Sequence, residues 1–417
     1  MTGLRLKDLL LYSFLALPLA FAGMPVYLHA PDFYATTHGQ SLATLGVALL
    51  LLRAFDAVQD PLLGALSDRF ATYRSALMLG AMTMLGTGFY MLMHPPATYV
   101  LAWFCLSVAL ATTAFSFLTI NINALGSLWS RESATKTRIT TTREAFTLIG
   151  LLLAAITPTV LAQSMPADTA YHMLSLLMLA LLTLGGGLFL YWLKRTGITQ
   201  PVAAAFSVTL FGRLFRGHAR FYTAYMVSSL ASAIPAILVL FFIRDRLEAE
   251  AYTGLFLMVY FLSGVLGMPL WSRLAKVYGK YHSWLMAMGV AVVAFIWAMF
   301  LQQGDVVAYG IICVASGLAL GAELALPPSI LSDRIDTAQQ NDHAASHFAL
   351  LALLAKLVFA LASGIALPAL GFAGFTPAAD NTPQVLLVLS VVYAGLPCLI
   401  KLAALWIIYP YVKGDKP

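Results

Sequence analysis

Apolar runs of about 20 residues, parted by short polar turns, recur twelve times along the chain. They fall at roughly 8–30, 41–66, 75–94, 98–128, 141–163, 170–193, 220–243, 252–270, 283–302, 306–331, 346–371 and 384–409. At about 1.5 Å of rise per residue, such a run crosses a hydrocarbon core roughly 30 Å thick as a helix. The strands of a membrane barrel would instead show as alternating segments of about ten residues. The turns are short except for one stretch, 194–219, which carries Lys194, Arg195, Arg213 and Arg216. Pro201 argues against one continuous helix through that stretch. The pattern predicts an all-α membrane protein of twelve transmembrane helices. It has an N-terminal six-helix bundle at 1–193, a cytoplasmic central loop at 194–219 and a C-terminal six-helix bundle at 220–417.

Composition agrees. Of 417 residues, 60% are hydrophobic and 10% charged, against roughly 25% charged in soluble domains. Such a chain cannot cover itself with a polar surface, so its solvent is lipid. There the backbone must satisfy itself. The net charge of +6 would suit nucleic acid, but its placement explains it otherwise. With the N-terminus inside, 19 of the 24 Lys and Arg fall on inner segments, from Arg5 and Lys7 to Lys413 and Lys416. The outer loops hold Arg244 and Arg246, and Arg53, Lys356 and Lys401 lie within spans. This is positive-inside topology with both termini cytoplasmic. In a bacterium the location is the inner membrane. The first run has no convincing small-residue cleavage site and reads as a retained helix. Cys105, Cys313 and Cys398 sit in apolar runs without metal-ligand spacing and read as small buried hydrophobes. The histidines, His29 among them, fall at loops and span ends and read as interfacial.

The second run contains the most informative stretch, RAFDAVQDPLLGALSDR, from Arg53 to Arg69. Asp56 and Asp60 are four apart and share one helix face. Each ionisable group near a helix centre costs about 2.5–3.5 kcal/mol on insertion scales, so the default reading is an ion or substrate path. Two carboxylates one turn apart repel when both are ionised, and a bound Na+ or a proton relieves that. The blander reading pairs Asp56 with Arg53 and only pins the helix. Asp68 and Arg69 form a gating contact or a solvated turn.

The two parts of the chain show weak internal symmetry. DPLLGALSDRFATYR after the second run and MPLWSRLAKVYGKYH after the eighth align with Pro61 on Pro269 and Leu66 on Leu274. Two six-helix halves related by a parallel repeat make the major facilitator architecture. Asp60 aligns with Met268, so the acidic pair belongs to the first half alone.

The pattern D-A-x-x-D-P-x-x-G-x-x-x-D-[RK] from Asp56 to Arg69 resembles the second-helix signature of the glycoside–pentoside–hexuronide cation symporters, the melibiose permease-like family of the major facilitator superfamily. RESATKTRITTTREAF after the fourth span resembles that family's loop into helix 5. PPSILSDRIDTAQQ with ALLALLAKLVFALASG resembles its acidic D-x-x-D turn and helix-11 lysine. The resemblance implies that Asp56 and Asp60 bind the coupling Na+ or H+, with the Gln59 amide beside it. It implies that Arg143 contacts substrate, that Lys356 lies near both sites, and that Asp333 and Asp336 form a gate with Asp68 and Arg69. There are departures. The family's sugar-binding aspartates fall on Ala20 and Asn121, and its helix-4 cation threonine falls near Leu118. A galactoside is therefore not the expected cargo. Lysolipid symporters of the same superfamily share this combination.

Among the remaining buried groups, Lys356 is too deep to snorkel and must meet a carboxylate, a substrate anion or cavity water. Glu323 and Lys401 pair with each other or with cavity water. The expected function is cation-coupled symport of a small polar or amphipathic solute by alternating access, with substrate held by Asn121, Arg143, Glu323 and Lys356. The alternatives are a lysophospholipid carrier and a non-transporting receptor. No nucleotide loop or hydrolase motif is present, so neither a cofactor nor enzymatic activity is expected. Metal binding beyond Na+ and a nucleic-acid partner are not expected either. The chain is expected to work as a monomer among membrane lipids.

Overall fold

In lipid a peptide group finds no partner but another peptide group. The computed structural model shows the outcome: the described residues, 5–26, 30–198, 208–377 and 379–412, contain helices and no strand. Twelve cross the membrane: α1 (Leu6–Gly23), α2 (Leu42–Arg69), α3 (Arg74–Met93), α4 (Val100–Leu128), α5 (Ser133–Ser164), α6 (Ala167–Thr196), α7 (Ala219–Phe241), α8 (Thr253–Tyr278), α9 (Lys280–Phe295), α10 (Val306–Thr337), α11 (Ala344–Phe372) and α12 (Pro383–Val412). Eleven of these lie in stretches long and apolar enough to span by length and composition, among the described residues. The other, α2, has 28 residues, and Arg53, Asp56 and Asp60 interrupt its apolar run.

Several boundaries differ from the sequence pattern, each for a local reason. Helix α5 starts at Ser133, not near 141, because the polar SATKTRIT segment continues the helix beyond the apolar core. Helix α10 runs through Pro327 and Pro328 to Thr337, so the expected acidic turn at Asp333 and Asp336 is the last helical turn. A π turn at Val391–Gly395 interrupts α12, and a 3-10 segment, Ile296–Phe300, extends α9. Part of the expected central loop is helical: Val208–Gly217 buries Leu210 and Leu214 and exposes Arg213 and Arg216. Gly197, left-handed at φ 60°, ends α6 as a C′ glycine. A further short helix, Ala30–Thr36, follows α1. Pro201, His29, Lys413 and Lys416 lie outside the described residues.

The chain folds as two compact units, Met1–Phe211 with Leu331–Leu353, and Gly212–Ile330 with Leu354–Pro417. In the first, α3 packs along α4 and α1 along α5. Small residues set the spacing, as lipid-embedded helices require. A Cβ on Gly88 would sit 2.8 Å from the backbone nitrogen of Ala111, and one on Gly150 would strike the Leu17 carbonyl. Tyr12 is fully buried among Trp129, Phe189 and Trp192, and its hydroxyl donates to the Ile122 carbonyl at 2.6 Å. In the second unit α12 packs on α7 and α9. Gly317 and Gly321 of α10 lie against the Tyr260 and Gly264 carbonyls of α8. Phe242 stacks on Tyr393 at 4.1 Å, and the hydroxyls of Tyr393 and Tyr309 meet at 2.7 Å.

Gly88→Val is expected to cost about 1–3 kcal/mol of overpacking. Thermal unfolding in detergent, followed by tryptophan fluorescence, should show a Tm several degrees lower. Gly187→Val, where an added Cβ meets nothing within 4 Å, should leave Tm unchanged.

Candidate functional site

Helix α2 is amphipathic in the inverted sense. Phe55, Val58 and Leu62 are 53%, 71% and 54% exposed, while Asp56, Gln59 and Asp60 are buried. The i, i+3, i+4 spacing collects the three polar groups on the inner face. Pro61 follows Asp60 inside the helix and has no N–H to give the carbonyl of Ala57 one turn back.

Helix α4 completes the arrangement. Asp56 Oδ1 accepts hydrogen bonds from Gln59 Nε2 at 3.0 Å and from Ser116 Oγ at 3.0 Å, and Thr113 Oγ1 donates to Gln59 Oε1 at 2.8 Å. The family resemblance puts the α4 contribution near Leu118. That residue is fully buried in the apolar core, and the α4 side chains that reach the acidic face are Ser116 and Thr113. The available signal was their three-residue spacing, which puts both hydroxyls on one face. Oxygens from two carboxylates, an amide and two hydroxyls suit a hard monovalent cation or a proton. At about 5.5 Å, two ionised carboxylates one turn apart repel by roughly 3 kcal/mol at an effective dielectric of 20. Arg53, one turn earlier, is exposed while Asp56 is buried.

The other expected site residues divide into three places. Asn121 is fully buried. Its Oδ1 accepts from Ser67 Oγ at 2.5 Å, which joins α2 to α4, and its Nδ2 donates to the Phe117 carbonyl at 2.8 Å one turn back on α4. Arg143 is buried at 3% exposure and ion-paired with Glu144, with Tyr12 in its electrostatic reach. Glu323 belongs to the second unit, where it is ion-paired with Lys401 at 2.7 Å. Ser232 Oγ donates to it at 2.7 Å, and Lys401 also donates to the Ser228 carbonyl at 2.9 Å. Lys356, half-buried on α11, also belongs to the second unit.

The four residues expected at a gate, Asp68, Arg69, Asp333 and Asp336, lie in the first unit. Asp68 accepts the Ala345 and Ser346 backbone N–H groups at 2.9 and 2.7 Å and the Ser346 hydroxyl at 2.6 Å. It therefore caps the N-terminus of α11 from another helix, where a carboxylate also meets the positive end of the helix dipole. Arg74 lies 3.7 Å from it and donates to the Ser67 carbonyl at 3.2 Å. Gly64 permits the approach: a Cβ there would sit 2.9 Å from the Ala345 carbonyl oxygen. Arg69 points elsewhere, exposed and 5.8 Å from the Phe70 ring. Lys136 is buried against α10. It pairs with Asp336, lies 3.6 Å from Asp333 and donates to the Ser332 carbonyl at 2.7 Å, while Ser133 Oγ reaches Asp333 at 2.7 Å.

Twelve spanning helices define an integral, multi-pass membrane protein. Its fold is that of the major facilitator superfamily. A bacterial homologue of the iron transporter ferroportin, in an outward-facing state, superposes with a TM-score of 0.70 at 16% identity, covering 98% of this chain and 99% of that one. The E. coli fucose:proton symporter superposes with a TM-score of 0.64 at 14% identity, covering 95% and 98%. Residues 11–412 match the family model described as MFS/sugar transport protein, and the chain belongs to that family. Among its relatives, the sodium-dependent lysophosphatidylcholine symporter 1 of Xenopus tropicalis is 28% identical over 162 residues. That match spans 37% of this chain and only about a third, 31%, of the relative's length. The uncharacterized symporter YjmB of Bacillus subtilis is 21% identical over 401 residues, 90% of this chain and 85% of that one.

Asp68→Ala strands two backbone donors at the start of α11 and removes a charge-assisted cap worth about 1.5–3 kcal/mol. Hydrogen–deuterium exchange should speed up in the peptide around Ala345 and Ser346, while the peptide around Glu323 keeps its rate.

Proposed function

We propose that the protein is a secondary transporter that couples the movement of a solute to Na+ or H+ by alternating access. Residues 1–193 and 220–417 are its two halves, and both termini lie on the cytoplasmic side of a bacterial inner membrane. The observation that carries this reading is the buried Asp56–Gln59–Asp60 face of α2 with Ser116 and Thr113 of α4 against it. A cation or proton there cancels the repulsion between the carboxylates. The naming of two relatives as symporters supports the coupling.

The cargo follows from what the site lacks. Ala20 and Asn121 stand where sugar-binding aspartates are expected, and the Asn121 amide is used between helices. A site without buried acceptors for hydroxyls discriminates poorly among sugars. A second reading, transport of a lysophospholipid or similar amphipath, gains from this and from the printed name of the Xenopus relative. Arg143 and Lys356 are the cations proposed to meet an anionic group of the substrate. Glu323, ion-paired with Lys401, reaches substrate only if that pair opens. Nothing in this reading requires an enzymatic step, a cofactor or a second copy of the chain.

The test is uptake into proteoliposomes under an imposed Na+ or H+ gradient, with sugar and lysophospholipid panels. Gradient-dependent accumulation of one class is expected. Accumulation of nothing in either panel under either gradient would overturn the symport reading. Asp60→Asn should abolish gradient-driven accumulation. Ser116→Ala removes a hydrogen bond to the Asp56 carboxylate and should raise the cation concentration for half-maximal uptake about tenfold.

A further inference from the structure

The second unit carries a groove that the transport mechanism leaves unused. It runs between α9, with its Ile296–Phe300 extension, and the first turns of α10, and it encloses about 820 Å³. Its wall is apolar, with Gly289, Val293, Trp297, Leu301, Ala308 and Ile311 prominent. Small residues make the trough: a side chain on Gly289 would meet nothing within 4 Å. Val293, Trp297 and Ile311 are 67%, 62% and 65% exposed along it. From Gly289 to Leu301 the helix rises about 18–20 Å, close to one leaflet of a core roughly 30 Å thick. A trough of that length on a lipid-facing surface fits an acyl chain.

The mouth of the groove adds chemistry. The Leu301 carbonyl, in the lining, accepts a hydrogen bond from Arg246 Nε at 2.9 Å. Arg244 and Arg246 are the two cations that the sequence assigns to the outer loops. The Asp245 carboxylate holds Arg244 at 2.9 Å, so Arg246 brings the remaining fork of donors. The two loops at this end also carry carboxylates. Glu248 is exposed, held in a left-handed backbone at φ 50°, and accepts from Gln303 at 2.6 Å. Asp305 is exposed and caps the Gln302 N–H at 2.8 Å, and Glu250 is exposed as well. A headgroup with phosphate alone would meet more anions than cations. One that carries both phosphate and ammonium finds a partner for each.

We infer that this groove is a docking site for a zwitterionic bilayer phospholipid, with a chain along Val293 and Trp297, phosphate on Arg246 and ammonium on Glu248 and Asp305. Trp297 is a built-in reporter, because bromine on lipid chains quenches a tryptophan in contact with them. The full protein is reconstituted in vesicles of equal parts phosphatidylethanolamine and phosphatidylglycerol, with the bromine on one lipid or the other. The Trp297 signal is isolated by subtracting the Trp297→Phe variant. Brominated phosphatidylethanolamine should quench it about threefold more than brominated phosphatidylglycerol, the ratio that one exposed ion pair gives. The double variant Glu248→Gln, Asp305→Asn should erase the preference, because both lipids carry the phosphate and only phosphatidylethanolamine carries the ammonium. So should Ala308→Leu, which fills the groove and leaves the carboxylates in place. Equal quenching in the wild type, stronger quenching by phosphatidylglycerol, or a preference that survives in either variant overturns the inference.

Discussion

Two carboxylates lie inside a helix whose other side faces lipid, and the rest of the first unit is arranged to make that tolerable. Asp56 and Asp60 are turned inward while Phe55, Val58 and Leu62 are turned out. No surface helix of a soluble protein is built this way round. The cost of burial is met locally: Ser116 and the Gln59 amide donate to Asp56, and Thr113 fixes that amide from its other end. These bonds orient one carboxylate beside the other, and the proposed cation or proton acts on that pair.

The same helix ends in a second polar contact. Asp68 lies about 12 Å along α2 from Asp60 at helical rise and caps α11 at Ala345 and Ser346. Between them, Gly64 lets α2 approach the Ala345 carbonyl, and Ser67 reaches Asn121 on α4. One rigid element thus carries both the proposed cation face and the lock on another helix. In the proposed mechanism a change of charge at Asp60 acts on a helix whose far end is held by the Asp68 contacts. Lys136 with Asp333 and Asp336 adds a second ionic contact within the same unit.

Much of the fold was legible in the chain because lipid leaves few choices: run length predicts crossings, and crossings predict helices. The helix ends were less legible, because polar helix such as Ser133–Thr140, or the last turns of α10, carries no apolar signal. Within the site, Asp56, Gln59 and Asp60 declared themselves by cost and spacing along one helix. Ser116, Thr113 and Lys136 did not, because a serine, a threonine or a basic residue near a helix end is ordinary in sequence. Their roles come from which helix face they meet, a long-range fact. Asn121 shows the converse. Its position suggests substrate, and the sequence carries no sign that its oxygen accepts from Ser67 across to α2.

The central claim is that Asp56 and Asp60 act as one site that exchanges a proton with a cation. Infrared difference spectroscopy of the protein in lipid, on stepping pH and on adding Na+, reads carboxyl protonation directly. The account predicts a protonated-carboxyl band that changes with at least one of the two ions and vanishes in Asp60→Asn. A spectrum insensitive to both ions, or a band that persists unchanged in that variant, would contradict it.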